Sequence, residues 1–182
     1  MTFANPDLVN AFPVAIRDDA VLLSSVLPDS RLTSSTFSAF VAGKVMQIPY
    51  RIYHDTESID SSRLTFSQNE LLDCILTRHH NGFVREKHLR RILRSSREWI
   101  PPFVIQLAGE YVVEILCAIR DSLPDFDRNL YREFLTANPA FFTLTKQRVI
   151  SYWNCYYHHI RREDYAGFQI VRFLDNLIAS ST

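Results

Sequence analysis

The sequence predicts a mainly α-helical protein, and three observations carry that prediction. From residue 66 onward, apolar residues recur at three- and four-residue spacing through one segment after another, the pattern of helices that bury one face. Proline, Asn-Gly and Asp/Ser/Thr positions punctuate those segments where helices start and stop. Residues 102–123, PFVIQLAGEYVVEILCAIRDSL, are apolar around nearly the whole circumference of a helix, so this stretch must be enclosed by its neighbours. The expected architecture is five helices within 66–180, packed as helical hairpins around a central buried helix 102–123. A mixed N-terminal segment with one extended strand, 45–54, precedes them.

In chain order, Asn5-Pro6-Asp7 reads as the start of a short helix reaching about Phe12, and Asp18-Asp19 as the opening of a second that Pro28-Asp29 ends. TFSAFVAGKV reads as a third short helix. In VMQIPYRIYHD, Met46, Ile48, Tyr50 and Ile52 alternate with more polar neighbours at a period of two, which makes a strand. Pro49 confines that strand to a sheet edge, and FPVAI at 12–16 is the local pairing candidate. Thr65 or Ser67 caps the next helix, with Ser67 and Glu70 at capping-box spacing. Asn81-Gly82 ends it, and a basic helix follows over about 84–94. After the central helix, Asp127 caps a helix that Asn138-Pro139 stops, because a residue before proline is pushed out of the helical region. Thr145 caps a long helix to about Arg162, with Tyr152, Trp153, Tyr156 and Tyr157 on a broad aromatic face that could line a ligand pocket or stack bases, although helical spacing more often places such a face in the core. A last helix covers about 166–179.

At 182 residues the chain fits one compact domain, with 1–62 as an N-terminal subregion and 63–182 as the helical core, enough to bury roughly 70% of the unfolded surface. Net charge is zero but unevenly spread. Residues 78–109 carry seven Lys/Arg against two Asp/Glu, net +5, while residues 110–133 carry three against six, net −3. A protein built to grip long nucleic acid nonspecifically would carry a large overall positive charge. Cys74, Cys117 and Cys155 are odd in number and show no zinc-site spacing, so they read as small apolar residues in a reducing compartment. The N-terminus shows no secretory pattern, and the acids within 102–123 argue against spanning lipid. The expectation is a cytoplasmic protein with no membrane contact and no cofactor.

Three constellations suggest chemistry. Residues 77–97, TRHHNGFVREKHLRRILRSSR, place two helices about a glycine-containing turn, and Lys87, Arg90, Arg91 and Arg94 share the outer face of the second. With Arg85, these cations are the candidate site for an anionic partner, nucleic acid among them, in a helix-turn-helix-like arrangement. The plainer reading is a hairpin whose arginines are solvated or neutralise nearby acids. Glu110 and Glu114 stand one turn apart on the predicted central helix, and with His158 or His159 they are the catalytic candidates, against a structural role in a polar network. Adjacent histidines diverge by about 100 degrees on a helix and no metal-site spacing occurs, so no metal is expected. No phosphate-loop or nucleophile-elbow motif is present. The leading expectation is a non-catalytic helical binding or scaffold protein whose partner is another protein. Nucleic-acid binding through 77–97 stands second, and an enzyme or small-ligand protein built on Glu110 and Glu114 third.

Overall fold

The computed structural model describes residues 6–28, 30, 32, 34–57 and 59–180. They are mainly helical and include a small antiparallel sheet, and they divide into two compact units, residues 1–92 and 93–182. Asn5 and Asp29, read as helix flanks, lie outside the described residues.

The first unit holds α1 (Pro6–Val9), α2 (Arg17–Val26), the strands β1 (Thr36–Val41) and β2 (Lys44–Pro49), α3 (Phe66–Leu76) and α4 (Gly82–Ile92). The short helix expected at TFSAFVAGKV is instead β1. Phe37, Ala39 and Val41 alternate inward, and Ala42 (φ 50°) and Gly43 (φ 79°) make the two-residue left-handed turn that antiparallel strands with right-handed twist require. The strand therefore pairs with β1 rather than with residues 12–16. Phe37 faces Ile48 and Ala39 faces Met46 on the buried side, while Phe40 and Val45 face each other in solvent. Residues 14–16 form a 3-10 turn, and Gln47 N–H donates to Asn10 O at 2.9 Å. The extended segment leaves the sheet after Pro49, and Ile52 makes an isolated parallel bridge with His79. α3 starts on a complete capping box between Thr65 and Gln68, not between Ser67 and Glu70, since Glu70 is buried on the helix.

The second unit holds α5 (Pro101–Ala108), α6 (Val113–Ser122), α7 (Arg128–Ala137), α8 (Pro139–Tyr152) and α9 (Ala166–Ala179). The continuous helix 102–123 is broken in two, so among the described residues seven helices, α3 to α9, occupy the span assigned to five around a central one. All of α5 is buried and it touches α6, α7, α8 and α9, so the enclosed rod exists but spans only Pro101–Ala108 of the expected 102–123. The break has a local cause. Gly109 N–H donates to Gln106 O and Glu110 N–H to Leu107 O, a tightened terminal turn, and Val112 is extended (φ −79°, ψ 107°) where α6 begins. A Cβ at position 109 would lie 3.3 Å from the Arg148 side chain, so the close approach of α8 favours glycine there.

Asp127 caps α7 through Leu130 N–H at 3.1 Å, and α7 ends at Ala137 as the following Asn-Pro dictates. The helix assigned to start at Thr145 starts at Pro139, whose missing N–H costs nothing at a first turn. Thr145 sits buried inside it with Oγ1 donating to Phe141 O at 3.1 Å. Instead of running to 162, α8 ends at Tyr152 in one π turn, Trp153–Tyr157. Among the described residues no helix is long and apolar enough to cross a membrane.

Candidate functional site

The aromatic face assigned to the core is largely a surface, and this is the most unusual feature of the second unit. A π turn carries one more residue per hydrogen-bonded ring than an α turn, and such turns recur at functional sites. Here it follows α8 and redirects the aromatic run. Tyr156 is 58% exposed and Tyr111, in the break between α5 and α6, is 49% exposed. Their rings stand 6.1 Å apart, and Tyr152 lies 5.8 Å from Tyr111 and 6.2 Å from Tyr156. Tyr157 O–H donates to Tyr111 O at 2.7 Å, which ties the π turn to the helix break. Trp153 Nε1–H donates to Ile160 O at 3.0 Å and closes the other end.

Beneath this layer lies Tyr165, fully buried and stacked on Tyr157 at 5.2 Å. Its stacking depends on Gly167, where a Cβ would come within 2.6 Å of the Tyr165 ring and 2.9 Å of Val149. Burial pushes the Tyr165 phenol far up, with the Tyr157 ring adding to the effect. Burial, then the Glu114 carboxylate, raises the Tyr157 phenol as well. Both are therefore neutral hydroxyls at physiological pH, suited to stacking and hydrogen bonding and not to nucleophilic attack. The rim is of mixed charge. Arg161 pairs with Asp164 at 2.8 Å, Arg162 lies over the Trp153 ring at 4.7 Å, and Glu114 is exposed in the first turn of α6.

The catalytic candidates do not share one helix face. Glu110 is 5% exposed within the helix break, Glu114 is in solvent on α6, and His158 and His159 are exposed after the π turn. Among the described residues no group of three or more His, Cys, Asp or Glu side chains could hold a metal ion.

In the first unit, α3 and α4 pack as a hairpin and the basic residues separate into two sets. Arg85 points inward, 2% exposed, and its Nη1 donates to His79 O and His80 O, both at 2.9 Å. Lys87, Arg90 and Arg91 are on the outer side. Arg90 spans Glu86 at 2.9 Å, and Arg91 reaches Asp73 at 3.2 Å. Arg94, in the second unit, lies 3.4 Å from Asp125. Asp73 also receives His88 Nδ1 at 2.5 Å, a pairing across the hairpin that no local spacing announces. Tyr111 was equally hidden in the sequence, although Gly109 two residues earlier is the signal of a break that would expose it.

No known protein family matches this chain, and no curated protein or solved structure does.

Proposed function

We propose that this is a non-catalytic helical binding protein that presents the tyrosine surface of residues 93–182 to another protein. The observation that carries the reading is the Tyr111–Tyr152–Tyr156 cluster held in place by the Tyr157 hydrogen bond, an ordered aromatic patch left in solvent. Tyrosine, tryptophan and arginine are the residues that concentrate binding energy at protein interfaces, and rigid rings lose little entropy on docking. The neutral Tyr157 and Tyr165 phenols support a binding role for this patch.

Stacked tyrosines also suit single-stranded nucleic acid, which needs a cationic groove beside the rings. Around this patch Glu114 and Asp164 offset Arg161 and Arg162, and on α4 the arginines Arg90 and Arg91 already engage carboxylates. That balance favours a protein partner. The test is quantitative affinity capture from the native lysate with wild-type protein and with the double variant Tyr111→Ser/Tyr156→Ser, alongside anisotropy with a labelled single-stranded oligonucleotide. The proposal expects a protein captured by wild type and lost with the variant, with no oligonucleotide binding at low salt. Identical capture by both proteins, or salt-sensitive oligonucleotide binding that the variant loses, overturns it.

A further inference from the structure

Between the α3–α4 hairpin and Thr56, Glu57, Ile59 and Ser61, the first unit holds a cleft of about 350 Å³, the size of a pocket for a small metabolite. Its floor is apolar, made by Leu72 and Leu76 of α3 and Val84 of α4. Its charged wall comes from one edge of α4, where Lys87 and Arg91 stand one turn apart with His88 between them in sequence. His88 is only 7% exposed. Its Nδ1 is held by Asp73, so Nε2 points away from that carboxylate, and among the described residues Nε2 makes no hydrogen bond and is not sealed from solvent.

We infer that this cleft binds a small organic anion, its charged group held by Lys87 and His88 Nε2 beside the Asp73-paired Arg91, and its apolar body resting on Leu72, Leu76 and Val84. Three observations set the class of ligand. Asp73 is nine-tenths buried behind the wall, and one of its oxygens is occupied by both His88 and Arg91, so its charge is spent on orienting them. Lys87 has no carboxylate partner among the described residues, unlike Arg90 and Arg91, and is the cation left to meet a ligand. Glu57 is the one carboxylate among the lining residues, against Lys87 and the Asp73-paired Arg91. With Nδ1 engaged, Nε2 donates to an anionic oxygen when the ring is charged and accepts from an acidic hydroxyl when it is neutral, which suits a phosphate monoester or a carboxylic acid. The Asp73–His88 pair fixes the ring orientation, as a carboxylate does behind a functional histidine.

The probe is phenyl phosphate, which joins a phosphate monoester to a flat apolar body. Titration of the full chain is followed by calorimetry and by the imidazole nitrogen resonances of His88. Saturable one-to-one binding with a selective shift of His88 Nε2 is expected. Benzyl alcohol, which lacks the charge, and inorganic phosphate, which lacks the ring, should each bind at least about tenfold more weakly. The exposed Lys87→Gln should weaken phenyl phosphate about fivefold or more with its thermal midpoint unchanged, which keeps the test valid if His88→Gln fails to fold. Absence of saturation, benzyl alcohol or inorganic phosphate binding as tightly as phenyl phosphate, or undiminished affinity in Lys87→Gln overturns the assignment.

Discussion

The two units differ in how much charge they bury. Residues 1–92 bury charge. Arg78 is 0% exposed, with Nε donating to Pro49 O at 3.3 Å and Nη2 to Tyr50 O at 3.1 Å, and Arg85 is spent on two more carbonyls at the end of α3. His79 Nε2–H donates to His54 O while His79 Nδ1 accepts from Asn81 N–H, and His54 Nδ1 bonds Pro28 O. Among the described residues 93–182 the one buried charged side chain is Glu110, and their core centres on the wholly buried α5. The contrast follows from the backbone. A helix satisfies its own N–H and C=O groups, so a helical unit can be apolar inside. A short hairpin followed by irregular chain cannot, and buried arginine and histidine side chains supply the missing partners. Buried charge in the first unit is the consequence of irregular backbone, and the second unit, whose helices satisfy their own backbone, needs little of it.

If that account is correct, the largest effect comes from removing a buried cation. Arg78→Met should destabilise the first unit by about 3 kcal/mol, because buried carbonyls lose their donor while the chain keeps most of the side-chain volume. Urea unfolding with amide exchange resolved by residue would measure it, and a loss spread equally over residues 93–182 would break the contrast. Next is packing in the second unit. Gly167→Ala should cost about 2 kcal/mol, since the new methyl meets Tyr165 and Val149 inside van der Waals distance. An unchanged thermal midpoint would mean that Tyr165 is not held as tightly as its stacking implies.

The third prediction concerns pH. Burial is the first cause that lowers His79 below its ordinary value of 6.5, and the neutral ring fits a carbonyl on one nitrogen and an N–H on the other. The unfolded chain therefore binds the proton more readily than the folded one. This contribution is fully present above about pH 6.5 and is lost as pH falls from there through the folded-state value. Denaturation at pH 7.5 and pH 5.5 should show that slope, and His79→Gln should flatten it. The smallest effect on stability is expected on the tyrosine surface, where Tyr156→Ser should change unfolding free energy by no more than about 0.5 kcal/mol while reducing partner capture. A large loss of stability there would make the ring part of the core.

How much of this was legible varies from one element to the next. Asp127 as a cap, the stop at Asn138-Pro139 and the final helix all follow from local chemistry, and α7 and α9 lie close to where the spacing sets them. TFSAFVAGKV carries the alternation of β1 and the Ala42-Gly43 turn, but it also satisfies a short helical pattern, and periodicity separates the two poorly over ten residues. The helix 102–123 failed at Gly109, a residue that a helix tolerates at a cost of about 1 kcal/mol and that tertiary contacts can turn into a break. Without that break Glu110 and Glu114 share one helix, and Gly109 is the one local sign that Tyr111 lies where the chain turns.

By itself the chain's order of residues determined the helical class, most helix ends and the alternation of the strand, since each depends on groups a few positions apart. Only the tertiary structure decided that Arg85 turns inward, that Asp73 meets His88 and that Tyr156 faces water. Spacing along a helix says which side chains share a face, but whether another element covers that face depends on contacts between residues far apart in sequence, and no local pattern encodes them.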